Sequence, residues 1–137
     1  MRTNVLSWAV VMAAVGVFAY RLRDQPWPPH RIIGAAIVLL ALALITVARV
    51  QLGASFSVSA QARHLVTTGL YSRIRNPIYV FAELVFAGAA VFMWSWWPVV
   101  IMVALIPMQM KRARREAAVL QDAFGEEYVA YRQRTWF

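Results

Sequence analysis

Residues 32–50, IIGAAIVLLALALITVARV, hold no charge before Arg49. At 1.5 Å per residue this run makes a helix of about 28 Å, close to the roughly 30 Å hydrocarbon core of a bilayer. Lipid offers no partner for backbone N–H and C=O groups, so a run of this kind is helical. Further apolar runs cover 4–20, 78–94 and 98–110. Over 137 residues, 61% are hydrophobic and 15% charged, in blocks rather than interspersed. The class this predicts is an all-α integral membrane protein.

In chain order, 4–20 spans about 25 Å and reads as a retained first helix. Arg2 before it would also suit a signal peptide. Arg21 and Arg23 follow directly, and no small-x-small cleavage site is present. The loop RLRDQPWPPHR (21–31) holds three prolines in four positions, which stop a helix, and Trp27 is placed as an interfacial anchor. In 32–50, Gly34, Ala35 and Ala36 offer a small-residue patch for close packing. A long connector, 51–77, leads to a third helix over 78–94. The aromatic turn Ser95-Trp96-Trp97-Pro98 follows. Residues 98–110 reach only about 20 Å, so this helix must run on into the polar segment, with a kink expected at Pro107. Residues 111–124 form an amphipathic helix, Gly125 breaks it, and a short helix covers 126–134 with Tyr128 and Tyr131 as packing or anchoring residues. The fold expected is about four transmembrane helices plus a C-terminal cytoplasmic amphipathic helical segment, in one domain.

With four spans, Arg2, Arg63, Arg73, Arg75, Lys111, Arg112, Arg114, Arg115, Arg132 and Arg134 share one side, against Arg21, Arg23 and Arg31 on the other. The positive-inside rule makes the richer side cytoplasmic, N- and C-termini included, in a multi-pass protein of the inner membrane. The net charge of +8 then reflects topology and anionic head groups, and nucleic acid is not an expected partner. The chain has no Cys and only His30 and His64, which removes thiol chemistry and leaves no metal site in prospect.

The longest motif-dense polar run is HLVTTGLYSRIRNPIY, His64–Tyr79. Asn76 suits a helix N-cap and Pro77 a first helical position, so the third helix should present its N-terminus, an anion-attracting end, to this run. Asn76, Tyr79 and Glu83 fall at i, i+3 and i+7 on one helix face. Glu83 inside an apolar run reads as functional, or as a protonated or ion-paired structural group. A second polar run, Lys111–Phe137, shares the same side, and the two can roof a cavity over the bundle end.

These two runs resemble the isoprenylcysteine carboxyl methyltransferase family. LVTTGLYSRIRNPIY is similar to its LVTxGxYxxxRHPxY, and RREAAVLQDAFGEEYVAY to its EExxLxxxFGxxYxxY, in the same order and with an apolar hairpin between. The resemblance covers 56–134, and the phosphatidylethanolamine methyltransferases share the general plan. It implies an integral-membrane enzyme using S-adenosylmethionine without a Rossmann fold, in keeping with the absence of a G-x-G-x-x-G element here. It divides the chain into an N-terminal helix pair, 1–50, and a cofactor-binding catalytic core, 51–137. By resemblance the cofactor is held by Arg63, His64, Leu65, Val66, Tyr71, Asn76, Pro77, Ile78, Tyr79 and Glu116, and Arg112 stands at the substrate. Three positions depart from the pattern: Asn76 replaces its His, Ala117 replaces the second Glu, and Arg63 stands where a His often precedes LVT.

The residue types fit that chemistry. Glu116 can accept from a ribose hydroxyl or the ammonium, the helix start at Asn76-Pro77 can receive a carboxylate, and Tyr71 and Tyr79 offer rings to adenine or sulfonium. Methyl transfer needs alignment more than proton transfer. Arg112 can orient a carboxylate acceptor through paired hydrogen bonds; an amine or phenol acceptor would need a proton acceptor, for which Glu83 is placed. The acceptor expected is a lipophilic small molecule or lipid carrying a carboxylate, amine or thiol. No obligate protein partner is expected beyond membrane lipids. The competing readings are a non-catalytic four-helix subunit and a lipid-binding protein that keep the fold.

Overall fold

The computed structural model describes residues 26–53 and 65–137, and every regular element in them is helical. The expected first helix, 4–20, and much of the connector lie outside the described residues. Helix α1 spans Pro29–Leu52, α2 spans Pro77–Met93 and α3 spans Trp97–Arg134, with a 3₁₀ turn at Gly69–Ser72. Among the described residues α1 is the helix long and apolar enough to cross a membrane, with a mean hydropathy of 2.5. Helix α2 is apolar but shorter, at 17 residues, about 25 Å.

Helix α1 starts three residues before the expected point. Pro29 takes the first helical position, where a missing N–H is harmless, behind an extended Pro28. The helix also runs past residue 50 to Leu52, which brings Gln51 into its last turn. Helices α1 and α2 form the largest interface and run antiparallel, since Trp27 and His30 at the start of α1 meet Phe92 and Trp94 at the end of α2. The small-residue seam is Gly34, Ala41 and Ala48, all buried, and not the expected Gly34–Ala36 patch. Ala36 is exposed because consecutive residues point around the helix, whereas a seven-residue spacing stays on one face.

Two glycines set how near these helices come. A Cβ on Gly34 would collide with the Phe92 backbone, and one on Gly88 would lie 2.9 Å from both Ile37 Cγ2 and Val38 Cγ2. Helix α2 ends at Trp94, whose N–H bonds back to Ala90 and Val91, and Trp96 stacks on Trp97 with centroids 4.5 Å apart. Exposed tryptophans at this turn, with Trp27 nearby, form the aromatic belt expected of a membrane interface.

Helix α3 follows the expected C-terminal layout. Helical backbone runs unbroken from Trp97 through Pro107 to Phe124, and a second helical stretch continues to Arg134. Proline removes a single N–H there, and the flanking turns keep theirs. The break comes at Gly125, as expected, where φ is 49° and ψ −121°. Beyond the helix, Trp136 and Phe137 lie parallel to Arg73–Asn76, with Trp136 N–H on Arg73 O (2.7 Å), Arg75 N–H on Trp136 O (3.0 Å) and Asn76 N–H on Phe137 O (3.0 Å).

Candidate functional site

The polar end of the bundle collects the last turn of α1, residues 65–79 and the middle and end of α3. At its centre is Glu116. Tyr79 Oη donates to Glu116 Oε1 at 2.8 Å, and Arg112 Nε donates to the same oxygen at 3.1 Å. Tyr79 sits on the first turn of α2 and Glu116 lies 37 residues further along the chain, so this contact joins the two polar runs. The Arg112–Glu116 pair is half-exposed on the Arg side and has i, i+4 helical spacing, so alone it contributes only about 0.3–0.5 kcal/mol. Its effect is orientational: hydrogen bonding to Glu116 raises the guanidinium above its ordinary value and fixes one edge of it.

Tyr71, in the 3₁₀ turn, is buried, and its carbonyl accepts from Tyr131 Oη at 2.8 Å. Burial, then the neighbouring Tyr131 and Glu116, push the Tyr71 hydroxyl up to about 12. Burial and Tyr128 push Tyr131 up to about 12, against a lowering influence from Arg75. Both are therefore neutral hydrogen-bonding groups at any ordinary pH. Tyr131 was expected only to pack or anchor; its bond shows it fastening the turn that carries Tyr71.

Gln51 fastens the same turn from α1. Its Oε1 accepts from Leu70 N–H at 2.8 Å, and its amide lies so close under Gly69 that any side chain there would strike it. Gly69 also has φ 61°, so the position suits glycine twice over. Asn76 occupies the N-cap position with ψ 60° and no side-chain cap bond. The expected side-chain cap is replaced by backbone: Asn76 O accepts from Tyr79 and Val80 N–H. A capping side chain needs an extended backbone, and Asn76 instead has φ −123° and ψ 60°. Pro77 has no N–H, so within the first turn only Ile78 keeps one not spent in the helix. The anion site expected there is correspondingly thin.

Leu65, Val66 and Ile78 are half-buried around this end and Pro77 is fully buried. Arg63 and His64 lie outside the described residues. Glu83 is one helical turn deeper than Tyr79. Both its carboxylate oxygens are buried without a formed hydrogen bond, and Gln109 reaches toward it from α3. Gln109, Arg112 and Glu116 repeat the i, i+3, i+7 spacing of Asn76, Tyr79 and Glu83 on the antiparallel neighbour. That mirrored spacing is the signal by which Gln109 was open to detection. Arg75 is a second omission. Its Nε is buried and without a partner beside Tyr131, a donor facing inward. Among the described residues no cluster of His, Cys, Asp and Glu could hold a metal.

The profile of the phospholipid methyltransferase family matches residues 29–127. The chain belongs to this family. It is thus a member of a family of membrane methyltransferases, in line with the resemblance of its two motifs. No curated protein matches it. As a phospholipid methyltransferase family member it places every centre of the site except Tyr131 and the 136–137 pairing inside the matched region.

Proposed function

We propose that the chain transfers a methyl group from S-adenosylmethionine to a lipophilic small molecule or lipid at the cytoplasmic boundary of the inner membrane. The observation that carries this reading is the Tyr79–Glu116–Arg112 junction, which brings two polar runs of the expected type onto one carboxylate. The donor set suits the cofactor. Glu116 offers a carboxylate with Oε2 outside that junction, Tyr71 and Tyr79 offer ring faces, and Arg75 Nε is an inward donor without a protein partner. Leu65, Val66, Asn76, Pro77 and Ile78 would line the same space, with Arg63 and His64 preceding it. When bound, S-adenosylmethionine supplies an electrophilic methyl carbon.

The residues' part is to orient and to exclude water. Arg112 is engaged by Glu116 through Nε, so its terminal nitrogens stay aligned for an acceptor carboxylate. Glu83, one turn toward the membrane, is placed to take the proton of an amine or thiol. The whole chain acts as one domain, with residues 4–20, α1, α2 and the first half of α3 as four spans.

Calorimetric titration of detergent-purified protein with S-adenosylmethionine and S-adenosylhomocysteine tests the reading. Micromolar binding is expected in the wild type and none in Glu116→Ala. A well-folded wild type that binds neither would end the methyltransferase proposal. Glu83→Gln should leave cofactor binding within about two-fold, because it lies a turn below Tyr79; turnover should fall for an amine or thiol acceptor and persist for a carboxylate.

A further inference from the structure

The side of α3 turned away from Glu116 has its own pattern. Val100, Val103, Pro107, Met110, Lys111, Arg114, Arg115 and Ala118 recur at three- and four-residue steps along one face. The valines, Pro107 and Met110 are exposed, and so are the three cations. From Pro107 to Ala118 the face forms an open groove of about 600 Å³ lined by Pro107, Met110, Lys111, Arg114, Arg115 and Ala118. No Asp or Glu lies on this face before Asp122.

We propose that this face binds one anionic phospholipid, with its acyl chains along the Val100–Met110 row and its phosphate on Lys111, Arg114 and Arg115. Length and level support it. Val100 to Met110 gives about 15 Å of exposed apolar helix, enough for acyl chains to lie along the row. Arg114 and Arg115 stand level with Tyr79, near the water-facing end of α2, to which α3 is tied through Glu116, and Lys111 lies about one turn deeper, where the apolar row ends. Three cations within two helical turns, with no acid among them, complement a phosphate carrying net negative charge; a zwitterionic head group would bring its own cation against them. This lipid is not the methyl acceptor, because the helix itself separates the groove from the Arg112–Glu116 side. Binding of this lipid is separate from methyl transfer and does not depend on the cofactor.

Native mass spectrometry of the detergent-solubilised protein with equimolar phosphatidylglycerol and phosphatidylcholine tests it. One retained phosphatidylglycerol is expected per wild-type chain. Lys111→Gln/Arg115→Gln should weaken retention about 25-fold, at about five-fold per cation. Arg132→Gln/Arg134→Gln removes the same charge at the far end of α3 and should retain the lipid. Equal retention of both lipids by the wild type overturns the proposal even if the groove variant does not fold. Equal loss in the control variant also overturns it, since net charge alone would then account for binding. Inorganic phosphate at matched ionic strength should not displace the lipid; displacement would make the groove a free-anion site and overturn it as well.

Discussion

At the residue scale the site depends on a few bonds that cross long stretches of chain. Tyr131→Phe removes the donor to a buried Tyr71 carbonyl and should destabilise by about 1–3 kcal/mol, read as a lower Tm in detergent. Gln51→Ala should weaken S-adenosylmethionine binding several-fold with the Tm little changed, and Gln51→Glu, which keeps the acceptor for Leu70 N–H, should restore part of it. The pH dependence follows from Tyr71 and Tyr131, both raised from 10.0 to about 12. A group whose folded value is raised holds its proton more tightly when folded. Its contribution is fully present below pH 10 and is lost as pH rises toward 12. Thermal unfolding should therefore be flat across neutral pH and fall between pH 10 and 12, and Tyr131→Phe should blunt that fall. These residues differ in how readily the sequence discloses them. Glu116 and Tyr79 stand in motifs of recognisable spacing. Gln51 does not, because what it holds is the N–H of Leu70, and no periodicity in a sequence encodes a backbone group 19 residues away.

At the element scale, close approach of α1 and α2 rests on Gly34 and Gly88. Gly34→Ala should destabilise more than Gly88→Ala, because a Cβ on Gly34 would run into Phe92 backbone N, whereas the nearest backbone atom to one on Gly88, Val38 N, is 3.0 Å away. Both should lose stability by about 1–3 kcal/mol, with the larger loss at Gly34, measured by thermal unfolding in detergent. Helix identities were legible: apolar length gave α1 and α2 to within a few residues, and Gly125 marked the break in α3. The small-residue seam was read from adjacent residues when the physical requirement is a seven-residue step. Asn76 took the expected N-cap position without its side-chain bond, because its backbone sits at ψ 60°, a conformation that residue preference does not encode.

At the scale of the whole molecule the two ends of the bundle are chemically distinct. One carries Trp27, His30, Trp94, Trp96 and Trp97; the other carries Gln51, Tyr71, Tyr79, Arg112, Glu116 and Tyr131. A membrane between them puts Ser95 and Arg134 on opposite sides. The chain has no cysteine of its own, so Ser95→Cys and Arg134→Cys should each react with an impermeant maleimide from one side only, and from different sides. The pairing of Arg73–Asn76 with Trp136 and Phe137 also has a bearing on biosynthesis. The 65–79 run leaves the ribosome well before its partners at 131–137 are translated. It must wait, unclasped, while α2 and α3 are made. The nascent chain thus acquires its α1–α2 hairpin first and its clasp last, so that a product truncated before Tyr131 would hold the hairpin with the 65–79 run unfastened.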